Sequence, residues 1–225
     1  MPDARVVVVT GAAGGLGLAV CRCFATAGWR VAGLVRRQVE LAGVQVEAAD
    51  VTSEAAVQVA LERIVASHGR LDALINVAGG FAGGAPVAEA DTATWDQLMA
   101  LNLKSAFVCS KAAIPAMLAG GFGRIINVSS RSAVQPSPNF SAYAVSKSGV
   151  LALTSTLAAE LKGTGITVNA VLPSVIDTPA NRAAMPGAKH EDWVAASTIA
   201  AVILDLASDH WSAVSGAAIP IYGNA

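Results

Sequence analysis

The sequence predicts a single α/β domain, residues 1–225, built on a doubly wound parallel sheet of about seven strands with helices on both faces. Short β-branched runs alternate with helix-length segments along the whole chain. The runs are apolar throughout, as expected for strands that are buried on both faces. With 54% hydrophobic and 14% charged residues and no linker, the chain can bury one large core.

The apolar runs predict strands at residues 5–9, 30–35, 44–48, 73–76, 124–128, 166–171 and 217–221. Helical spacing predicts helices at residues 15–27, 53–67, 92–118, 142–161 and 192–207. Only residues 38–43 separate the second strand from the third, which is too short for a crossover helix. A loop or a single turn is therefore expected there.

The composition argues against some classes of binding partner. The formal net charge is −1 and there is no basic run, so neither nucleic acid nor a membrane surface is expected as a partner. Uncharged stretches are broken by Gly, Pro or Asn before they reach the length of a membrane span. The first residues lead straight into a strand without a signal peptide, which predicts a cytoplasmic protein. The three cysteines and three histidines have spacings that suit neither a disulfide framework nor a metal site.

A glycine-rich turn, TGAAGGLG at residues 10–17, follows the first strand and opens the first helix. The N–H groups and positive dipole end of a helix N-terminus attract phosphate, and residues without Cβ let it approach the backbone. The turn therefore predicts dinucleotide binding at Gly11, Gly15, Leu16 and Gly17. The alternative is an ordinary glycine-rich loop.

The end of the second strand predicts which dinucleotide binds. An acid that holds the ribose 2'-hydroxyl of NAD is expected about 20 residues beyond the glycines. Val35 stands at that position and is followed by Arg36 and Arg37, whose guanidinium groups suit a 2'-phosphate. NADP(H) is therefore the preferred cofactor and NAD(H) is possible. The alternative is a pair of solvated arginines.

Tyr143 and Lys147 stand four residues apart in AYAVSK, so they share one face of a predicted helix. A cation about 4 Å from a phenol is worth roughly 4 kcal/mol at an effective dielectric near 20. This would lower the pKa of Tyr143 toward neutrality, where a phenol can give or take a proton. Ser129 and Ser130 lie just upstream, at the end of an apolar run. The alternative is an exposed helix with no catalytic role.

Taken together, the motifs resemble those of the short-chain dehydrogenase/reductase family across nearly the whole chain. The matching residues, in order, are Thr10-Gly11, Gly15, Gly17, Asp50-Val51, Asn76-Val77-Ala78-Gly79, Asn102, Ser130, Tyr143, Lys147 and Pro173 to Thr178. The resemblance implies a Rossmann-like domain with a seven-stranded parallel sheet. It also implies hydride transfer between a nicotinamide and a small-molecule carbonyl or alcohol.

The resemblance further implies a role for each residue. Tyr143 would be the general acid/base and Ser130 would hydrogen-bond the substrate oxygen. Lys147 would lower the pKa of Tyr143 and bind the nicotinamide ribose, while Asn102 would hold a water that relays the proton. The cofactor would be lined by Asp50 and Val51 at the adenine, by Asn76, Ala78 and Gly79, and by Pro173, Ile176 and Thr178 near the carboxamide.

Two features depart from the family pattern. Pro173 is followed by Ser174 where Gly is usual, and residues 177–193 are short and similar to the tail of dihydropteridine reductases. This segment is expected to be a mobile lid, with Ser132, Gln135 and Phe140 also lining the pocket.

The predicted protein is an NADP(H)-dependent carbonyl reductase that acts on a 3-oxoacyl-type or other small ketone and forms a homodimer or homotetramer. A dihydropteridine-reductase-like enzyme and a non-catalytic NADP(H) sensor are the alternatives.

Overall fold

The computed structural model describes residues 4–224. A parallel sheet contains seven strands in the order β3-β2-β1-β4-β5-β6-β9, and β7 and β8 form a separate parallel pair. The strands are β1 (Val6–Thr10), β2 (Arg30–Val35), β3 (Val44–Ala48), β4 (Ala73–Asn76), β5 (Gly123–Val128), β6 (Ile166–Pro173), β7 (Ile176–Asp177), β8 (Val194–Ala195) and β9 (Ala218–Ile221). The strand order reverses between β1 and β4, and this is where a doubly wound sheet opens a crevice for ligands.

The helices cover both faces of the sheet. Helices α1 and α7 contribute to one apolar cluster, and α2, α4 and α5 contribute to the other. Their bounds are α1 (Gly15–Thr26), α2 (Glu54–His68), α3 (Thr92–Leu98), α4 (Ser105–Gly120), α5 (Ser141–Glu160), α6 (Pro179–Ala184) and α7 (Ala196–Leu206). A π-helical turn, Met99–Lys104, joins α3 to α4. The helix predicted at residues 92–118 is therefore continuous and contains one wider turn.

Local signals set several of these boundaries. Ser53 caps α2 by accepting the N–H of Ala56 at 3.4 Å, and Gly69 ends the helix with a φ of 75°. Gly121 ends α4 in the same left-handed region. A side chain at either glycine would strain the backbone, which explains why both helices stop there.

The seven predicted strands are confirmed, most of them within one residue of the predicted ends. Residues 36–43 contain no helix, as the short connection indicated. The predicted start of the last helix at residue 192 is wrong. Residues 190–192 form a 3₁₀ turn and Val194–Ala195 pairs with β7, so α7 begins at Ala196. Helix α6 and the β7–β8 pair were not predicted.

Cys21 and Cys109 are buried, as expected for small apolar side chains, and burial raises the pKa of both thiols, to about 11 and about 12. Cys23 is half-buried on α1. Within residues 4–224, no helix is both long and apolar enough to cross a membrane, and no cluster of three or more potential metal-ligating side chains occurs.

Candidate active site

The glycine-rich turn is tied to the end of β4. Gly11 has a φ of 65°, and a Cβ there would lie 3.1 Å from the Cα of Ala78. The backbone N–H of Ala78 donates to Oγ1 of Thr10 at 3.0 Å. A Cβ on Gly17 would overlap the carbonyl of Gly11. Only glycine therefore allows the turn to pack this closely on the helix that it opens.

The same turn meets the chain that follows β6. A Cβ on Gly15 would lie 2.7 Å from Cγ2 of Thr178. Thr178 caps α6 by accepting the backbone N–H of Asn181 at 3.2 Å, and the carbonyl of Ile176 accepts from the Asn181 side chain at 2.7 Å. The structure thus brings the turn together with Ile176 and Thr178. Leu16 lies beside them but is buried in the core.

Two exposed arginines follow β2. Arg36 and Arg37 lie at the same sheet edge as Asp50, because β2 pairs in parallel with β3. Two hydrogen bonds from Thr52 hold the pKa of Asp50 below its usual range, and the charge of Arg36 adds to the effect. The adjacent Val51 is buried. This edge of the crevice therefore carries both positive charge and a carboxylate.

Asn76, which is predicted to line the cofactor, uses its side-chain amide within the protein. Its Nδ2 donates to Oδ1 of Asn127 at 2.8 Å and to Oγ of Ser110 at 3.2 Å. Asn76 is 5% exposed and faces the apolar cluster beneath α4, where its Oδ1 has no hydrogen-bond partner. The amide thus links two central strands to α4. The place of Asn76 beside the cofactor stays a prediction.

Ser130 and Tyr143 are brought together by the chain that joins β5 to α5. Ser130 accepts the backbone N–H of Ser132 at 3.1 Å, which directs its own proton elsewhere. Burial raises the pKa of Tyr143, and a hydrogen bond from Ser130 offsets part of this rise. The phenol therefore carries its proton at neutral pH.

Lys147 is 5% exposed, and its Nζ donates to the carbonyl of Val128 at 2.8 Å. Burial lowers its pKa to about 8. The pKa of Tyr143 is therefore not drawn toward neutrality in this structure, because burial of the phenol dominates and raises it. The contribution of Lys147 to lowering this pKa stays a prediction. A Cβ on Gly79 would lie 3.2 Å from Nζ, so Lys147 does border the crevice.

Asn102 lies in the π-helical turn and is 2% exposed. Its Oδ1 accepts the N–H of Gly80 at 2.7 Å, while its Nδ2 donates to the carbonyl of Gly80 at 3.1 Å and to Oγ of Ser146 at 3.0 Å. Both amide donors are thus used within the protein. The role of holding a relay water stays a prediction.

Pro173 ends β6, and Ser174 occupies the place of the usual glycine without strain. The Ser174 hydroxyl donates to the carbonyl of Tyr222 at 2.8 Å, and its N–H donates to Ile221 at 3.1 Å. Within residues 4–224, Asn139 alone among non-glycine residues has a positive φ. The serine therefore hydrogen-bonds the end of β6 to the end of β9, and its backbone does not adopt the left-handed conformation that favours glycine.

Phe81 is a site residue that the sequence analysis did not find. It is 66% exposed, and its ring lies edge-on to Tyr143 with centroids 4.9 Å apart. It also stacks on Phe140, a predicted pocket residue, at 5.1 Å. An aromatic residue in a glycine-rich loop after a central strand was the available signal. Gln135, also predicted to line the pocket, is exposed and accepts a hydrogen bond from Arg131 at 2.7 Å.

Comparison with known protein sequences identifies the family to which the chain is related. Residues 5–189 match the profile described as short chain dehydrogenase. The chain is 34% identical over 241 residues to D-threitol dehydrogenase of Mycolicibacterium smegmatis, which covers 98% of the chain and 92% of that protein. It is 35% identical over 240 residues to the 3-oxoacyl-[acyl-carrier-protein] reductase FabG of Thermotoga maritima, covering 98% and 97%. Neither is a dihydropteridine reductase, so the predicted likeness of residues 177–193 to those enzymes is not shown.

Solved structures give the same result. Thermoplasma acidophilum aldohexose dehydrogenase superposes with a TM-score of 0.91 at 27% identity, covering 99% of this chain and 94% of that one. NAD⁺-bound xylitol dehydrogenase has a TM-score of 0.89 at 27% identity, covering 99% and 100%. ElxO with NADP bound has a TM-score of 0.91 at 25% identity, covering 98% of both. The chain is an oxidoreductase of the short-chain dehydrogenase/reductase family, whose members transfer hydride with NAD(P)(H).

Proposed function

We propose that the protein is an NADP(H)-dependent carbonyl reductase that acts on small ketones. The observation that carries this proposal is the contact of the Tyr143 phenol with Ser130, beside the crevice that Gly79 and Lys147 border. A phenol at this place can give its proton to the carbonyl oxygen of a ketone.

A dinucleotide fits the residues of the crevice. The turn with Gly11, Gly15 and Gly17 leaves backbone N–H groups at the start of α1, where phosphate binds. When bound, the cofactor supplies a hydride to the carbonyl carbon. Gly79 and the Nζ of Lys147 border the same crevice, so they would lie along the cofactor.

The chain's own residues handle the proton. The hydroxyls of Ser130 and Tyr143 would donate to the substrate oxygen, where negative charge develops during reduction. Tyr143 would give its proton to that oxygen, which completes the alcohol. The buried ammonium of Lys147 would stabilise the phenolate that remains.

The preference for NADP(H) rests on Arg36 and Arg37, which are exposed at the end of β2 with Val35 in the place of an acid. A 2'-phosphate would pair with either guanidinium. The solved relatives include one with NAD⁺ and one with NADP, so they do not decide between the two cofactors. Asp50 at the same edge disfavours a second negative charge, and its attraction to Arg36 competes with the phosphate.

The test is a panel of small ketones, 3-oxoacyl thioesters, quinones and pterins, followed by the loss of NADPH absorbance. Reduction of ketones that is lost in Tyr143→Phe supports the proposal. Reduction of quinonoid dihydropterin with NADH at the best ketone rate would favour the dihydropteridine-reductase alternative. Binding of NADPH with no turnover of any substrate would favour the sensor.

We also propose that the protein forms homodimers or homotetramers through α4 and α5. An apolar depression of about 470 Å³ is lined mainly by Met99, Ala100, Leu103, Phe107 and Leu153. Phe107 is 48% exposed there. A second copy related by a two-fold axis would cover this surface. Sedimentation of Phe107→Glu as a monomer, beside a larger wild-type species, is the expected result.

A further inference from the structure

The ring of Phe81 is exposed next to the proposed proton donor. Although 66% of Phe81 is exposed, its ring makes an edge-on contact with Tyr143 at 4.9 Å and an interplanar angle of 78°. Its other neighbour is Phe140, which stacks at 5.1 Å and 29°. An exposed ring in this place offers apolar surface that a bound ligand can remove from water.

The loop that carries Phe81 is fixed on both sides of the ring. Gly80 is bound through its N–H and its carbonyl to the buried amide of Asn102. Gly84 donates its N–H to the carbonyl of Asn139 at 2.8 Å. Because both flanks are hydrogen-bonded, the ring is held in position before any ligand arrives, which lowers the entropy lost on binding.

The second ring is fixed by close backbone packing. Gly83 has a φ of 152°, and a Cβ there would lie 2.5 Å from Cδ1 of Phe140. Asn139, directly before Phe140, has a φ of 71° in the left-handed region. The ring of Phe140 therefore rests directly on the Gly83 backbone, and the two phenylalanines form one continuous aromatic surface beside Tyr143.

We propose that Phe81 and Phe140 form an aromatic wall of the substrate pocket and select ketones with an aromatic or other flat apolar group beside the carbonyl. This inference rests on the proposed function and names its substrate class. Tyr143 must reach the carbonyl oxygen to give its proton, so the group on the carbonyl carbon lies within a few ångströms of the phenol, which is where Phe81 stands.

The polar groups at the same site do not favour a polyol. The guanidinium of Arg131 and the amide of Gln135, both just after Ser130, bond to each other at 2.7 Å. A polyhydroxylated substrate would place hydroxyls against the two phenyl rings and lose hydrogen bonds to water there. The predicted preference thus differs from the substrates for which D-threitol and xylitol dehydrogenases are named.

The experiment compares kcat/KM for acetophenone with that for acetone, both with NADPH, in the wild-type enzyme and two variants. Phe81→Ala should lower the acetophenone-to-acetone ratio by about tenfold or more, the range for losing an apolar contact in a pocket. Trp211→Ala is the matched control, because Trp211 is also exposed but its 3₁₀ turn is bound through Asp209 to Arg5 at the amino end of β1. The site lies at the carboxyl ends of the strands. This control should leave the ratio unchanged.

Saturation-transfer NMR of acetophenone with NADP⁺ measures the same contact without turnover. Transfer to the phenyl protons that disappears in Phe81→Ala would support the aromatic wall even if no ketone were reduced, and would then count against the proposed function alone. Ketone reduction with an unchanged ratio in Phe81→Ala would overturn the wall and leave the function standing. Oxidation of threitol or xylitol faster than 1-phenylethanol, or no binding and no turnover of acetophenone, would also overturn the wall.

Discussion

Asn102 and Gly80 are joined by two hydrogen bonds, one in each direction, between a π-helical turn and the loop after β4. A third bond runs from Asn102 to Ser146, whose hydroxyl donates to the carbonyl of Tyr143 at 2.8 Å. The side chain of Asn102 thus connects the loop that carries Phe81 with the helix that carries the proton donor. We interpret Asn102 as a positioning residue for both.

Asn102→Asp keeps the acceptor for the Gly80 N–H but removes both donors. The Gly80 carbonyl then faces a carboxylate, which should cost about 1–3 kcal/mol of stability, as for a buried group left without its partner. We expect a higher KM and a lower acetophenone-to-acetone ratio, measured by steady-state kinetics. A loss of kcat that is equal for all ketones, with KM unchanged, would instead indicate the proton-relay role.

Tyr143→Phe removes the transferable proton and keeps the ring against Phe81. Turnover of ketones should fall by at least about a hundredfold, the usual effect of losing an acid/base group. Binding of NADPH, followed by fluorescence titration, should survive. Turnover near that of the wild-type enzyme would show that the proton comes from another group.

Arg36→Ala should weaken the binding of NADPH and affect NADH little, because only NADPH carries the 2'-phosphate. The expected loss is about 1.5–3 kcal/mol, as for a hydrogen bond to a charged group. Arg37→Ala is the matched neighbour and shows how the two arginines share the contact. Equal losses for both cofactors in calorimetric titration would mark Arg36 as structural.

The buried Lys147 predicts a pH dependence of stability with a definite sign. Its pKa is about 8 in the folded protein and 10.5 in the reference state, so below pH 8 both states are protonated and the full cost of burying the charge is present. Between pH 8 and 10.5 the unfolded state holds more protons, and this group adds stability as the pH rises, up to about 3 kcal/mol. Lys147→Met should lose this rise in urea unfolding at successive pH values.

The same lysine predicts how turnover depends on pH. As Lys147 loses its proton above pH 8, the positive charge that we propose to stabilise the phenolate of Tyr143 is removed. The kcat/KM for ketone reduction should therefore fall as the pH rises above about 8. Because burial raises the pKa of Tyr143, its own titration lies above this range. A kcat/KM that stays constant to pH 10 would contradict this assignment.

The central sheet was predictable because each strand is a short apolar run that is bounded by polar or glycine residues. The start of α7 was not predictable in this way. Val194 is a strand residue because it pairs with Ile176, which is distant in the sequence. Intrinsic helical spacing cannot show such a partner.

Ser130 lies beside Tyr143, and Lys147 reaches the carbonyl of Val128 at the end of β5. Their catalytic roles stay predictions. The pKa of Tyr143 moves opposite to the expected direction, because burial depends on packing from several elements. The Asn76 side chain turns into the core for a similar reason, since its neighbour Asn127 comes from the adjacent strand. Exposure of Phe81 likewise depends on the distant contact of its loop with Asn139.

Residues 178–193 connect strands β7 and β8, which pair in parallel, so the first and last residues of this segment lie close together. Both ends are anchored, one through Ser174 to the end of β9 and the other through α7 to the core. A segment with adjacent, fixed ends can change in length at little entropic cost. We therefore expect that residues 178–193 can be replaced by the corresponding residues of another enzyme without rebuilding the domain.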